Sequence, residues 1–130
     1  MAQPALGLLL QTLREGRGLS LRDLALLADT DHAYIYRLET GDKEAPSEEV
    51  LSKLIRALKP GKREADMLRY VAEHSDTDAG LVVYVLEDTT VSIEVFTAAA
   101  GTFYRGNVRP EYPKLVEKIR RILEEEKSGG

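Results

Sequence analysis

Between Leu19 and Gly41 the apolar residues keep a helical rhythm, stop for three residues, and start again. Leu21, Leu24, Ala25 and Ala28 share one face of a helix with 3.6 residues per turn. Ile35 and Leu38 share the inner face of another. Only "DTD" separates the two runs. Asp29 stands where the chain must bend through a left-handed residue, which Asp tolerates better than most residues with a Cβ. Ser20 with Asp23 forms a candidate capping box, and Asp31 is a good first cap for the next helix. Gly41 then ends that helix. Two short helices joined this tightly share one apolar seam. The outer side of the second is left facing away from the core.

The flanking segments supply the rest of that core. Leu6, Leu9, Leu10 and Leu13 recur at helical spacing before the "GRG" stop. "PSEEVLSKLIRAL" reads as a fourth helix, capped by Ser47, with Glu48 and Glu49 at its positive end. Val50, Leu51, Leu54, Ile55 and Leu58 make its apolar stripe. "KPGK" at Lys59 to Lys62 is the clearest break, and "READMLRYVAEH" gives a fifth helix expected to fold back onto the first four. Residues 1–59 carry 8 basic and 9 acidic groups, residues 60–130 carry 10 and 13. The acid excess is therefore heavier behind the break, and the first part is nearly neutral.

The segment "DAGLVVYVLEDTTVSIEVFTAAAG" admits two readings. Val91, Ile93 and Val95 alternate among many β-branched residues, as in a β-hairpin over residues 81–96 turning at "DTT". Ile93, Phe96, Ala100 and Phe103 also fit one helical face, with Asp88 as a cap. The helical reading is preferred. "GTFYRGNVRPEYP" is a polar loop, and Pro113 opens a last amphipathic helix with Leu115, Val116, Ile119, Ile122 and Leu123 on one face. The fold class is therefore mainly α. Residues 1–74 are expected to form a five-helix domain and 75–130 a small C-terminal region.

Here residues 6–58 resemble the Xre/Cro/C1-type helix-turn-helix family of bacterial and phage repressors. The matching stretches are "LGLLLQTLR", "GLSLRDLA", "YIYRLETG" and "APSEEVLSKLIRAL". The resemblance implies a lambda-repressor-like domain and a sequence-specific DNA-binding transcriptional regulator. It implies base contacts from His32, Ala33 and Arg37, and a structural ion pair between Arg14 and Glu39. Arg37 is the strongest candidate, because a guanidinium fork takes guanine O6 and N7 together, which discriminates bases by roughly 1–3 kcal/mol. The competing reading pairs it with Asp31 or Asp42. Ala33 suits a thymine methyl. Tyr34 and Tyr36 suit phosphates through their hydroxyls, although Tyr34 reads equally as half-buried packing. Arg17, Arg22 and Lys43 complete the cation set. Leu21 stands where the family usually carries a Gln that touches DNA. The phosphate contacts that remain are few, so specific binding calls for a homodimer on an inverted repeat.

The C-terminal region more weakly resembles that of Xre-type repressors cut by a partner metallopeptidase, a regulatory protein partner in that reading. The loop at Tyr104, Arg105 and Gly106 would be the cleaved segment and the last helix the dimerising one. Leu26 and Leu27, on the outer side of the second helix, are expected to pack under this region. A module that binds a protein partner through the same fold, with no strong DNA binding, is the alternative.

Other classes find little support. There is no Cys, so no disulfide or thiolate metal site is expected and a reducing compartment is. Only His32 and His74 exist, with no nucleophile–histidine order, phosphate loop or metal spacing around them. No enzyme activity, cofactor or metal is expected. Without a long apolar run or a signal-peptide start, the expected place is the cytoplasm and no membrane is involved.

Overall fold

In the computed structural model, residues 3–103 and 111–129 are described. They form eight helices: α1 (Ala5–Gly16), α2 (Leu21–Leu27), α3 (His32–Thr40), α4 (Glu48–Leu58), α5 (Lys62–Glu73), α6 (Ala79–Glu87), α7 (Ile93–Phe103) and α8 (Tyr112–Gly129). No strand occurs among the described residues.

The helix ends follow from local chemistry. The Ser20 hydroxyl accepts the Asp23 N–H at 3.0 Å, and the Asp23 carboxylate accepts the Ser20 N–H at 2.9 Å. That closes a complete capping box at α2. Asp29 takes φ 51°, which turns the chain between α2 and α3. Asp31 caps α3 by accepting the Ala33 N–H at 2.7 Å. Gly41, at φ 90°, lets its own N–H and that of Asp42 both return to the Arg37 carbonyl, at 3.0 and 2.9 Å. Ser47 caps α4 through the Val50 N–H. Lys59 adopts the left-handed conformation at the end of α4, directly before Pro60, so "KPGK" is a sharp turn between packed helices.

The β-hairpin alternative over residues 81–96 does not occur: α6 and the start of α7 occupy that stretch. Asp88 is not the cap of α7. It ends α6, and its carboxylate accepts the Thr90 N–H and hydroxyl at 3.0 and 2.6 Å. Ser92 caps α7 instead, accepting the Val95 N–H at 3.2 Å. Dense β-branched residues suit these helices because Val82 and Val85 of α6 and Val95 of α7 are buried, as is Phe96. The packing, not the intrinsic helix propensity, decides.

One continuous core runs from α1 to α8. Leu9, Leu10, Leu24, Ile35, Leu38, Leu54 and Leu58 fill its first part, and α5, which buries Met67 and Leu68, packs on both α1 and α7. α6 packs on α1, and α7 on α5 and α8. The last helix puts Val116 and Ile119 into this core, whereas Ile122 stays 41% exposed. Tyr112 of α8 donates to the Asp78 carboxylate at 2.6 Å and stacks on Tyr84. The Arg120 guanidinium reaches the Thr90 carbonyl at 3.1 Å. The proposed cleavable segment, Tyr104 to Gly106, lies outside the described residues, as does Arg109. Leu26 and Leu27 do not pack under the C-terminal region. They are 83% and 56% exposed, because α6 to α8 settle against α1 and α5 and leave the outer face of α2 uncovered.

Candidate nucleic-acid interface

α3 has nine residues, and its two faces differ sharply. At 100° per residue, His32, Ala33, Tyr36 and Arg37 fall within one sector of about 140°. Ile35, Leu38 and Glu39 fall outside that sector and are all buried, Glu39 beside its His32 edge. Burial thus selects the outer set without reference to function. His32, Tyr36 and Arg37 are exposed, Ala33 and Tyr34 are half-buried.

The back of α3 is fixed to α1 by three devices. The first is the buried pair of Arg14 and Glu39. Arg14 Nε donates to Glu39 Oε2 at 2.7 Å and Nη2 to Oε1 at 3.0 Å, the two-pronged match of a guanidinium to a carboxylate. Its third nitrogen, Nη1, donates to the Leu19 carbonyl at 2.9 Å, which also holds the entry to α2. The bond to Glu39 raises the Arg14 pKa above its ordinary value against the opposing effect of burial, so the charge is permanent. The second device is Gln3, which donates to the Glu39 carbonyl at 2.9 Å. The third is Gly7. A Cβ there would lie 2.1 Å from the Glu39 carbonyl oxygen, so only glycine lets α1 and α3 come this close. Gln3 and Gly7 escape the periodicity argument. An isolated glycine amid the leucines of α1 was the available signal.

On the outer side, the Arg37 guanidinium has no hydrogen bond or ion pair to another side chain among the described residues; the Arg37 carbonyl accepts the Thr40 hydroxyl at 3.3 Å. Neither Asp31 nor Asp42 takes its guanidinium. Asp31 is occupied by the cap of α3, and its carboxylate lies 3.9 Å from His32 Nδ1. Asp23 is likewise bound into the cap of α2. Tyr34 packs against the core, and burial raises its hydroxyl pKa, so it stays a neutral donor. Tyr36 is 55% exposed. Arg22 and Lys43 are exposed, on α2 and in the turn after α3.

Arg17 belongs elsewhere. Its Nη1 donates to the Ala57 carbonyl at 2.6 Å, at the C-terminal end of α4. It lines a groove with Leu27, Lys53, Arg56 and Lys59 and does not join the outer set of α3. Leu21 is half-buried against the core, so it offers DNA nothing. His74 ends α5, with Nδ1 2.8 Å from the Tyr70 carbonyl and its ring stacked on Tyr70. No group of three or more His, Asp or Glu that could hold a metal ion occurs among the described residues. None of their helices is long and apolar enough to cross a membrane.

Residues 5–68 match the model of a family described as a helix-turn-helix domain. The match spans α1 to α4 and over half of α5, and so takes in both halves of the motif. No curated protein and no solved structure matches the chain. The N-terminal part of this mainly helical chain is therefore a helix-turn-helix domain, and DNA-binding regulation is the function such a domain suggests.

Proposed function

We propose that the protein is a sequence-specific transcriptional regulator of the cytoplasm, a dimeric repressor that reads an inverted-repeat operator through α3 in the major groove. One observation carries the reading. Among the described residues no side chain pairs with the outward Arg37 guanidinium, while the other side of α3 is locked to α1 by the Arg14–Glu39 pair. A base-reading side chain needs this arrangement, because its fork must be held still relative to the groove. Arg37 is the base reader, and His32 and Ala33 flank it. Tyr36, Arg22 and Lys43 supply backbone contacts that set register but carry no sequence information. The exposed Ile122 on α8 supports a contact with a second copy, which would place two α3 helices on successive turns of one DNA face.

Selection from random duplex DNA tests this. The expected result is one palindromic site. Arg37→Ala should relax preference at one base pair of each half-site, while Lys43→Ala should weaken all sequences alike and lower the salt slope by about one. No enrichment even at low salt would refute DNA reading and favour a protein-binding module. Ile122→Glu should shift the chain to monomer in sedimentation; an unchanged dimer would exclude the end of α8 from the interface.

A further inference from the structure

α2 and α4 enclose a surface groove of about 400 Å³ that the DNA reading does not use. Four cations line it: Arg17 from the end of α1, and Lys53, Arg56 and Lys59 from α4 and its cap. The single acid is Asp29, whose carboxylate is 96% exposed and 3.9 Å from the Lys53 ammonium. Leu27, Ala28 and Ala57 give the groove its apolar lining. Leu26, next to it on α2, is 83% exposed, the most exposed large apolar side chain described. A chain of net charge -4 thus concentrates positive charge beside its barest leucines.

We propose that this groove docks an acidic amphipathic helix of a partner protein. Lys53, Arg56 and Lys59 recur every third residue, and carboxylates on a helix recur at three or four. An apolar stripe at the same spacing would cover Leu26 and Leu27. Charge complementarity selects this occupant over two others. Nucleic acid would meet the cations but leave the leucines wet. The end of α8 from a second copy offers Glu124 to Glu126, but Arg120, Arg121 and Lys127 flank them and would face the groove's own cations. The cations are also more than a neutralised helix end, because Lys53 lies mid-helix and Arg17 comes from another element.

The test uses the full chain and a labelled 16-residue helical peptide with leucine at every third or fourth position and glutamate on its flanks. Fluorescence anisotropy should show binding that weakens with salt and is lost when lysine replaces glutamate in the peptide. Leu27→Ser and Arg56→Glu should each weaken it about tenfold, as central contacts do. Arg37→Ala, on the DNA face, should leave it unchanged. Both variants alter exposed side chains, and circular dichroism would report any loss of fold. Four results would overturn the proposal: no peptide binding, equal binding of the lysine peptide, variants that instead weaken random-sequence duplex binding, and variants that instead change the oligomeric state.

Discussion

Replacing Gly7 by Ala is the sharpest test of how α3 is held. In an ordinary helix the change would stabilise, by about 1 kcal/mol, because Ala gives up less backbone freedom than Gly. Here the new Cβ would sit 2.1 Å from the Glu39 carbonyl oxygen, 2.7 Å from its carbon and 2.9 Å from the Leu38 carbonyl oxygen. All three are backbone atoms of α3, so no side chain can swing aside. Relief requires α1 and α3 to part by nearly an ångström, which also pulls on the Arg14–Glu39 pair and the core around Ile35 and Leu38. Overpacking costs about 1–3 kcal/mol, and a backbone obstacle puts this case at the upper end. The net loss after the propensity gain is about 2 kcal/mol, a drop of several degrees in Tm for a chain of this size. Urea unfolding measures it, with an unchanged slope and a lower midpoint. Gly16→Ala is the internal control. It lies in the same helix with nothing within 4 Å of its added Cβ, and should be neutral or slightly stabilising. If Gly7→Ala matched that control, the close approach of α1 and α3 would be wrong, and with it the account of how Arg37 is aimed.

Arg14→Met should destabilise by about 3–5 kcal/mol in urea unfolding, because it strands Glu39 without its partner, whereas Arg14→Met with Glu39→Leu should recover most of the loss. Ser20→Ala removes the hydroxyl half of the α2 cap and should cost about 1 kcal/mol. The Ser20 N–H, and then its hydroxyl, hold the Asp23 carboxyl below the usual carboxylate range. Its contribution is therefore present in full above about pH 4 and is lost as pH falls through the lowered native value. The urea midpoint of Asp23→Asn should accordingly lie below that of the parent at pH 6 and converge on it in acid. Tyr112→Phe should cost about 1–2 kcal/mol by removing the bond to the Asp78 carboxylate, which ties α8 to the start of α6.

The parts of this molecule that the sequence reveals are those governed by neighbours in the chain. Ser20 with Asp23, Asp29, Asp31 and Gly41 all act within four residues of themselves, so their roles as caps and turn residues can be read directly. The inner and outer faces of α3 follow from period alone. The stretch from α6 to α7 resists because its helices bury more than one side. In α6 the run Leu81 to Leu86 is apolar throughout, and a helix with so narrow a polar face looks much like a strand. Contacts between distant segments leave the faintest trace. Nothing around Gly7 names Glu39 as its neighbour, and nothing around Arg17 names the Ala57 carbonyl. Leu26 and Leu27 look like core residues because composition cannot say which way the C-terminal helices will turn.

DNA binding by an acidic chain is a question of placement more than of totals. Exposed charges farther apart than about 10 Å scarcely sense one another at moderate salt, so the net charge says little about any one face. Asp23 and Asp31, in the caps of α2 and α3, each accept a backbone N–H at a helix start. Those N–H groups and the positive helix ends offset part of their charge. Glu39 is buried against Arg14 and cancels there. What remains near the outer set of α3 is Arg37 with Arg22 and Lys43, a small positive excess opposed by Asp42 and Glu44. Such a face should bind DNA weakly in general and discriminate well where Arg37 meets guanine. This is the balance a regulator needs if most of the genome is to be ignored. Asp42→Asn should then raise affinity for all duplexes with little change in preference. If it altered which sequence is preferred, Asp42 would itself be touching bases.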